Sequence, residues 1–158
     1  MLVWMGVVFM MSTDTFSAQH TGSVLLPLLH WLDPNLSPMA VDRVQFLIRK
    51  SGHVTEYGVL ALLILRGLRM ARQVPAPHWS WSLAATALCG SAAYGATDEI
   101  HQLFVPSRGP AAHDVLVDAS GAAFALLLAF AVTRARRPAS AAVQAGGASR
   151  PSPAADDR

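Results

Sequence analysis

Three long apolar segments decide what this chain can fold into. They cover residues 52–68, 79–104 and 111–132, and a helix needs roughly 20 such residues to cross a bilayer. Hydrophobic residues make up 53% of the chain and charged residues 14%, which is fewer charges than an average soluble domain carries. The segments therefore predict membrane-spanning helices.

Two further apolar runs precede these segments. Residues 2–11 have about half the length that a span needs, and we interpret them as a first membrane helix whose true start the sequence leaves open. Residues 24–32 are too short to span and contain Pro27, so we expect them at the membrane interface. The chain is thus predicted to have four spans.

The remaining segments complete the predicted architecture. Ser37 and Pro38 are typical of a helix start, and residues 39–49 then mix apolar and charged side chains at helical spacing, which indicates an amphipathic interfacial helix before the second span. Residues 134–158 are rich in Ala, Ser, Pro and Gly, a composition that favours a disordered tail. The prediction is an all-α, four-helix transmembrane bundle over residues 1–133.

Arginine placement predicts the orientation of this bundle. Arginines follow the second and fourth spans, within residues 66–72 and 134–137, on the same side of an alternating topology. Because positive residues favour the cytoplasm, both termini and the tail should be cytoplasmic. The loop over residues 12–50 and the turn that carries Arg108 should face outward.

Ionisable and polar side chains recur near the outward ends of three spans. At helical spacing they form three stripes: Lys50, His53, Glu56 and Tyr57; Tyr94, Asp98, His101 and Gln102; and Asp114 and Asp118. Glu99 is rotated by about 100° from Asp98 and is suited to a different contact. Below Asp118, Gly121 and Ala122 would let a neighbouring backbone approach.

An ionised carboxylate within a span costs about 2–4 kcal/mol near the centre unless it meets partners or water. Such groups often have functional roles, although they can also simply fix the registry of neighbouring helices. The candidate catalytic residues are His53, Glu56, Asp98, Glu99, His101 and Asp118. The candidate binding residues are Lys50, Tyr57, Tyr94, Gln102, Arg108 and Asp114. Arg108 could contact a lipid headgroup or clamp an anionic substrate.

Metal and nucleic acid receive less support from the sequence. His53 with Glu56 and Asp98 with His101 have the spacing of bundle metal sites, but an ordinary hydrogen-bond network uses the same spacing and no HExxH or CxxC motif is present. We therefore expect no metal, and the sequence identifies no cofactor. A net charge of +2 without a basic stripe argues against nucleic acid as a partner.

Three stretches of the sequence resemble the VanZ-like membrane protein family. They are KSGHVTEY at residues 50–57, YGATDEIHQLFVPSR at 94–108 and DVLVDASG at 114–121. The resemblance covers residues 1–133 and implies a small four-helix protein of the bacterial cytoplasmic membrane, in a family whose founding member is associated with resistance to the glycopeptide teicoplanin. It implies no mechanism. The short first helix departs from the family pattern.

Two functions remain open at this point. The first is an envelope-facing enzyme in which Glu56 or His101 acts as general base while Arg108 holds an anionic lipid or cell-wall precursor. The second is a non-catalytic protein that binds or shields the envelope through the same polar residues. Ion conduction is disfavoured, because the third span has few polar groups deeper in the bilayer.

Overall fold

The computed structural model describes residues 1–13, 18–75, 78–104 and 112–136. Within these ranges the chain is all-helical and forms no strand, which confirms that the protein is all-α. The five helices are α1 (Leu2–Ser12), α2 (Ala18–Leu32), α3 (Pro38–Ala71), α4 (Trp81–Gln102) and α5 (Ala112–Ala135). Arg108 and the tail beyond residue 136 lie outside the described residues.

Helices α2 and α3 differ in detail from the four-helix prediction. Residues 18–32 form a helix of their own, with Pro27 inside it. The predicted interfacial helix and the second span are one continuous helix of 34 residues. The Ser37 hydroxyl caps its start by accepting from the backbone N–H of Ala40. A lone Gly52 at the predicted junction does not end the helix, because one glycine inside a helix costs only about 1 kcal/mol.

Helices α3, α4 and α5 pack around a core of small and branched apolar side chains. Helices α3 and α5 run in the same direction and α4 runs opposite to both, as their paired residues require. Gly121 gives α5 its close approach to α3, since a Cβ there would lie 2.4 Å from the Val54 carbonyl oxygen. The expectation that this position lets a neighbouring backbone approach is confirmed.

Helix α1 lies across α3 and α4 near the predicted polar stripes. The Trp4 indole N–H donates to the Glu56 carbonyl at 3.0 Å, and the Tyr94 hydroxyl donates to the Met5 carbonyl at 2.7 Å. Val8 is buried against Tyr57 in a small apolar cluster. These contacts hold the 11-residue helix α1 against α3 and α4.

Among the described helices, α5 alone is long and apolar enough to cross a membrane, over His113–Ala135. Only 22% of its apolar window is buried inside the protein, whereas the core helix of a soluble protein would be mostly buried. Large apolar side chains such as Phe124, Leu127 and Leu128 point outward instead. Helices α3 and α4 contain the charged and polar residues that reduce their apolar character.

Candidate functional site

A histidine and an aspartate pair across α3 and α5. His53 Nδ1 and Asp118 Oδ1 are 2.9 Å apart. The Asp118 side chain is fully buried and that of His53 is 14% exposed. The pair depends on the Gly121 contact one turn further along α5, because that contact brings the two helix axes close enough for these short side chains to meet.

Tyr57 and Asp118 share a space that α4 leaves open at Gly95. A Cβ at Gly95 would lie 3.1 Å from Asp118 Oδ2 and 3.3 Å from the Tyr57 ring. The Tyr57 hydroxyl and Asp118 Oδ2 are both buried and have no hydrogen-bond partner among the residues that the structure describes. The His53 and Tyr57 rings are stacked with their centroids 6.4 Å apart. Two buried polar atoms of this kind are expected to interact with a ligand or with water.

Asp98 and Gln102 form a second buried pair one turn apart on α4. Gln102 Nε2 donates to Asp98 Oδ2 at 3.0 Å and lies 3.3 Å from the Ser12 hydroxyl of α1. Asp98 is close enough to Tyr57 and Asp118 to interact with both electrostatically. We call His53, Tyr57, Asp98, Gln102 and Asp118 the polar centre.

A more exposed pair lies one turn above the polar centre. The Lys50 ammonium group contacts Asp114 Oδ1, and His113 Nε2 lies 3.0 Å from the same oxygen. The side chains of Lys50 and Asp114 are each 14% exposed, whereas His113 is mostly exposed. This pair marks the boundary between the polar centre and the surrounding medium.

The other predicted residues lie at the edge of this arrangement. Tyr94 and His101 face α1, where the His101 ring lies 4.5 Å from the Phe9 ring between centroids. Glu56 is half-buried and Glu99 is buried. The structure thus brings together seven of the twelve predicted side chains as direct pairs or around Gly95, and Arg108 lies outside the described residues.

Sequence reasoning missed the contribution of α1 and of Gly95. Ser12 and Trp4 hydrogen-bond to the helices that carry the polar centre, although neither belongs to a polar stripe. Ser91 and Gly95 are small residues one turn apart on α4, which is a signal for close helix packing. That signal could have indicated which face of α4 meets Tyr57.

The described residues offer acid and base groups rather than a preformed metal site. No group of three or more His, Cys, Asp or Glu side chains in the described ranges could hold a metal ion. The His53/Asp118 pair has the geometry in which a carboxylate fixes the orientation of an imidazole. This arrangement can accept and return a proton.

These features define an all-α protein with an apolar outer surface, a helix suited to a membrane and a buried ionisable centre. The family model described as VanZ/LLP1 matches residues 1–133. The chain belongs to this family, and the predicted resemblance is confirmed. Comparisons with the curated proteins and with the solved structures found no match.

Proposed function

We propose that this protein is a four-span protein of the bacterial cytoplasmic membrane whose polar centre acts on a lipid or cell-wall precursor at the outer face. Through this action it would contribute to glycopeptide resistance of the teicoplanin type. The observation that carries the proposal is the buried His53/Asp118 pair beside the Tyr57 hydroxyl and the second oxygen of Asp118.

The spacing of charges along the helices supports the membrane setting. At about 1.5 Å per residue, the rise from Asp114 to Arg134 along α5 is about 30 Å, and that from Lys50 to Arg69 along α3 is about 28 Å. The hydrocarbon core of a bilayer is about 30 Å thick. With the arginines at the cytoplasmic face, the Lys50/Asp114 pair lies at the outer interface and the end of α5 is inside.

The depth of the polar centre suits a substrate that enters from the outer interface. Asp118 is one helical turn below Asp114, or about 6 Å deeper. A polar headgroup at the interface can reach this depth, while its hydrocarbon chains stay in the bilayer. Of the predicted partners, a membrane lipid or an anionic lipid-linked precursor fits this position best.

The chemistry follows from the two groups of the pair. When Asp118 accepts from Nδ1–H of His53, Nε2 carries the lone pair and can take a proton from a substrate hydroxyl or from water. The imidazolium formed is stabilised by the carboxylate and can return the proton to a leaving group. The role of general base, which the sequence assigned to Glu56 or His101, is therefore assigned to His53 in this proposal.

A second candidate is a non-catalytic protein that binds or shields the envelope. This candidate is favoured by polar side chains that already hydrogen-bond to one another. These are Lys50 with Asp114 and Asp98 with Gln102. Polar pairs of this kind also fix the registry of helices. The two candidates differ in whether a precursor is chemically changed.

The test compares His53→Gln with His78→Gln in cells that express the full chain. His78 is exposed in the connection before α4 and serves as the matched control. Teicoplanin susceptibility and the pools of lipid-linked precursors are measured together, with the membrane level of each variant. We expect His53→Gln to abolish resistance and the change in precursor pools, and His78→Gln to retain both.

Other outcomes separate the candidates. Resistance that survives His53→Gln at a normal protein level would overturn the role of the polar centre. Resistance that disappears while the wild-type protein leaves every precursor pool unchanged would favour the binding protein over the enzyme.

A further inference from the structure

The arginine end of the bundle, opposite to the polar centre, has a charge imbalance of its own. Arg66, Arg69 and Arg72 lie near the end of α3, and Arg134 and Arg136 near the end of α5. The sequence has no Asp or Glu between residues 57 and 97 or between 119 and 155. Every ion pair among the described residues lies at the polar end. The described chain thus places no Asp or Glu at this end to pair with these arginines, which leaves them open to an anion from outside it.

A cavity of about 520 Å³ lies beside two of these arginines. Arg66 and Arg69 line it together with apolar side chains, namely Leu62, Leu65, Met70, Val74 and Pro75. Its volume lies within the about 300–1,000 Å³ of ligand pockets. Apolar walls below a pair of cations fit an amphiphile with an anionic headgroup better than a free inorganic anion.

The turn after α3 shapes the mouth of this cavity. The Val74 N–H donates to the Arg69 carbonyl at 3.0 Å and the Gln73 N–H to the Met70 carbonyl at 3.2 Å, which is the Schellman arrangement. The residue in the left-handed conformation is Gln73, with φ of 51°, where glycine is usual. Gln73 is one of the residues that line the cavity together with the two arginines, and a glutamine side chain carries an amide donor.

Arg69 is held in place by the same turn. Its Nη2 donates to the Pro75 carbonyl at 3.4 Å, which leaves further N–H groups of the guanidinium for a ligand. Arg72 is exposed and does not line the cavity, although it has the same charge three residues further on. Of these neighbouring arginines, Arg66 and Arg69 thus line the cavity and Arg72 does not.

We propose that this cavity binds an anionic phospholipid, with the phosphate at Arg66, Arg69 and the Gln73 amide and an acyl chain along Leu62 and Leu65. The headgroup accepts charge-assisted hydrogen bonds from both guanidinium groups. The inference uses the membrane setting of the proposed function but does not depend on the chemistry of the polar centre.

The experiment measures lipid binding by the full chain purified in a neutral detergent. Phosphatidylglycerol, phosphatidylcholine and inorganic phosphate are added separately, and bound lipid is counted by native mass spectrometry. We expect the wild type to retain phosphatidylglycerol in preference to phosphatidylcholine. Arg66→Gln with Arg69→Gln should weaken this binding by at least about tenfold, since two charge-assisted hydrogen bonds are lost.

Two single variants complete the design. Arg72→Gln removes one charge outside the cavity and should bind phosphatidylglycerol as the wild type does. Gln73→Gly removes the amide while relieving the left-handed backbone, so it should fold at least as well as the wild type and yet bind several-fold more weakly. This variant keeps the test decisive if the double variant does not fold.

Three results would overturn the proposal. Equal loss in Arg72→Gln and the double variant would indicate diffuse electrostatic attraction. Inorganic phosphate that displaces the lipid at equal concentration would indicate a simple anion site. Unchanged binding in Gln73→Gly together with equal retention of phosphatidylcholine would indicate ordinary annular lipid. None of these results bears on His53, so the proposed function would be tested separately.

Discussion

Gly121→Ala provides the sharpest test of how α3 and α5 are joined. A Cβ at this position would lie 2.4 Å from the Val54 carbonyl oxygen and 2.6 Å from the Val54 Cα. Both contacts are with backbone, which cannot rotate away as a side chain could. The shorter contact has to lengthen by about 1 Å before it reaches an ordinary van der Waals distance.

The size of the effect follows from that displacement. Overpacking of this kind costs about 1–3 kcal/mol. A shift of about 1 Å would also lengthen the 2.9 Å contact between His53 and Asp118 beyond hydrogen-bonding distance, at a further cost of about 1.5–3 kcal/mol. Because alanine is the better helix former by about 1 kcal/mol, we expect a net loss of about 1.5–5 kcal/mol in the free energy of unfolding.

The assay is reversible unfolding of the purified protein by denaturing detergent, followed by circular dichroism. The matched control is Gly67→Ala on α3, where a Cβ would meet no atom within 4 Å. This variant should be as stable as the wild type or slightly more stable. If Gly121→Ala were no less stable than Gly67→Ala, the close approach of the two helices at this glycine would be wrong.

Three further variants test single contacts. Asp118→Asn keeps the side-chain shape but removes the charge that orients His53. If the protein is an enzyme, precursor turnover should fall by about 100-fold or more. Unchanged turnover would exclude this carboxylate from the chemistry. Tyr94→Phe removes the hydrogen bond to the Met5 carbonyl, which should reduce the stability of α1 against the bundle by about 1 kcal/mol. Hydrogen exchange of the α1 amides should therefore become faster. Exchange equal to that of the wild type would mean that other contacts hold α1. Ser37→Ala removes the cap of α3 and should reduce the free energy of unfolding by about 1 kcal/mol, whereas an unchanged denaturation midpoint would show that the cap is energetically unimportant.

Much of the helical architecture could be predicted because it depends on local chemistry. The long apolar segments predicted the bounds of α4 and α5 to within a few residues, and the Ser37 cap predicted the start of α3. Two local predictions were incomplete. The amphipathic segment and the second span are one helix, because Gly52 costs a helix interior only about 1 kcal/mol. Residues 18–32 form an additional helix that continues through Pro27.

Part of the candidate site could also be predicted from periodicity. Spacings of three and four residues put Lys50 and His53 on one face of α3, and Asp114 and Asp118 on one face of α5. Pairing across the helices could not be read from this spacing, because it depends on the rotation and offset of one helix against another. Gly121 and Gly95 set that offset, and their effect is visible only when the opposing backbone is in place.

The sequence by itself determined that this chain forms apolar helices, that ionisable side chains collect near one end of them, and that arginines collect near the other. The tertiary structure alone decided that His53 meets Asp118, that α1 supplies Ser12 to the polar centre, and that a cavity forms beside Arg66 and Arg69 but not beside Arg72. The physical reason is that helix formation and amphipathic patterning act over a few neighbouring residues, whereas these contacts join residues that are far apart in the chain and depend on how closely the backbones can approach.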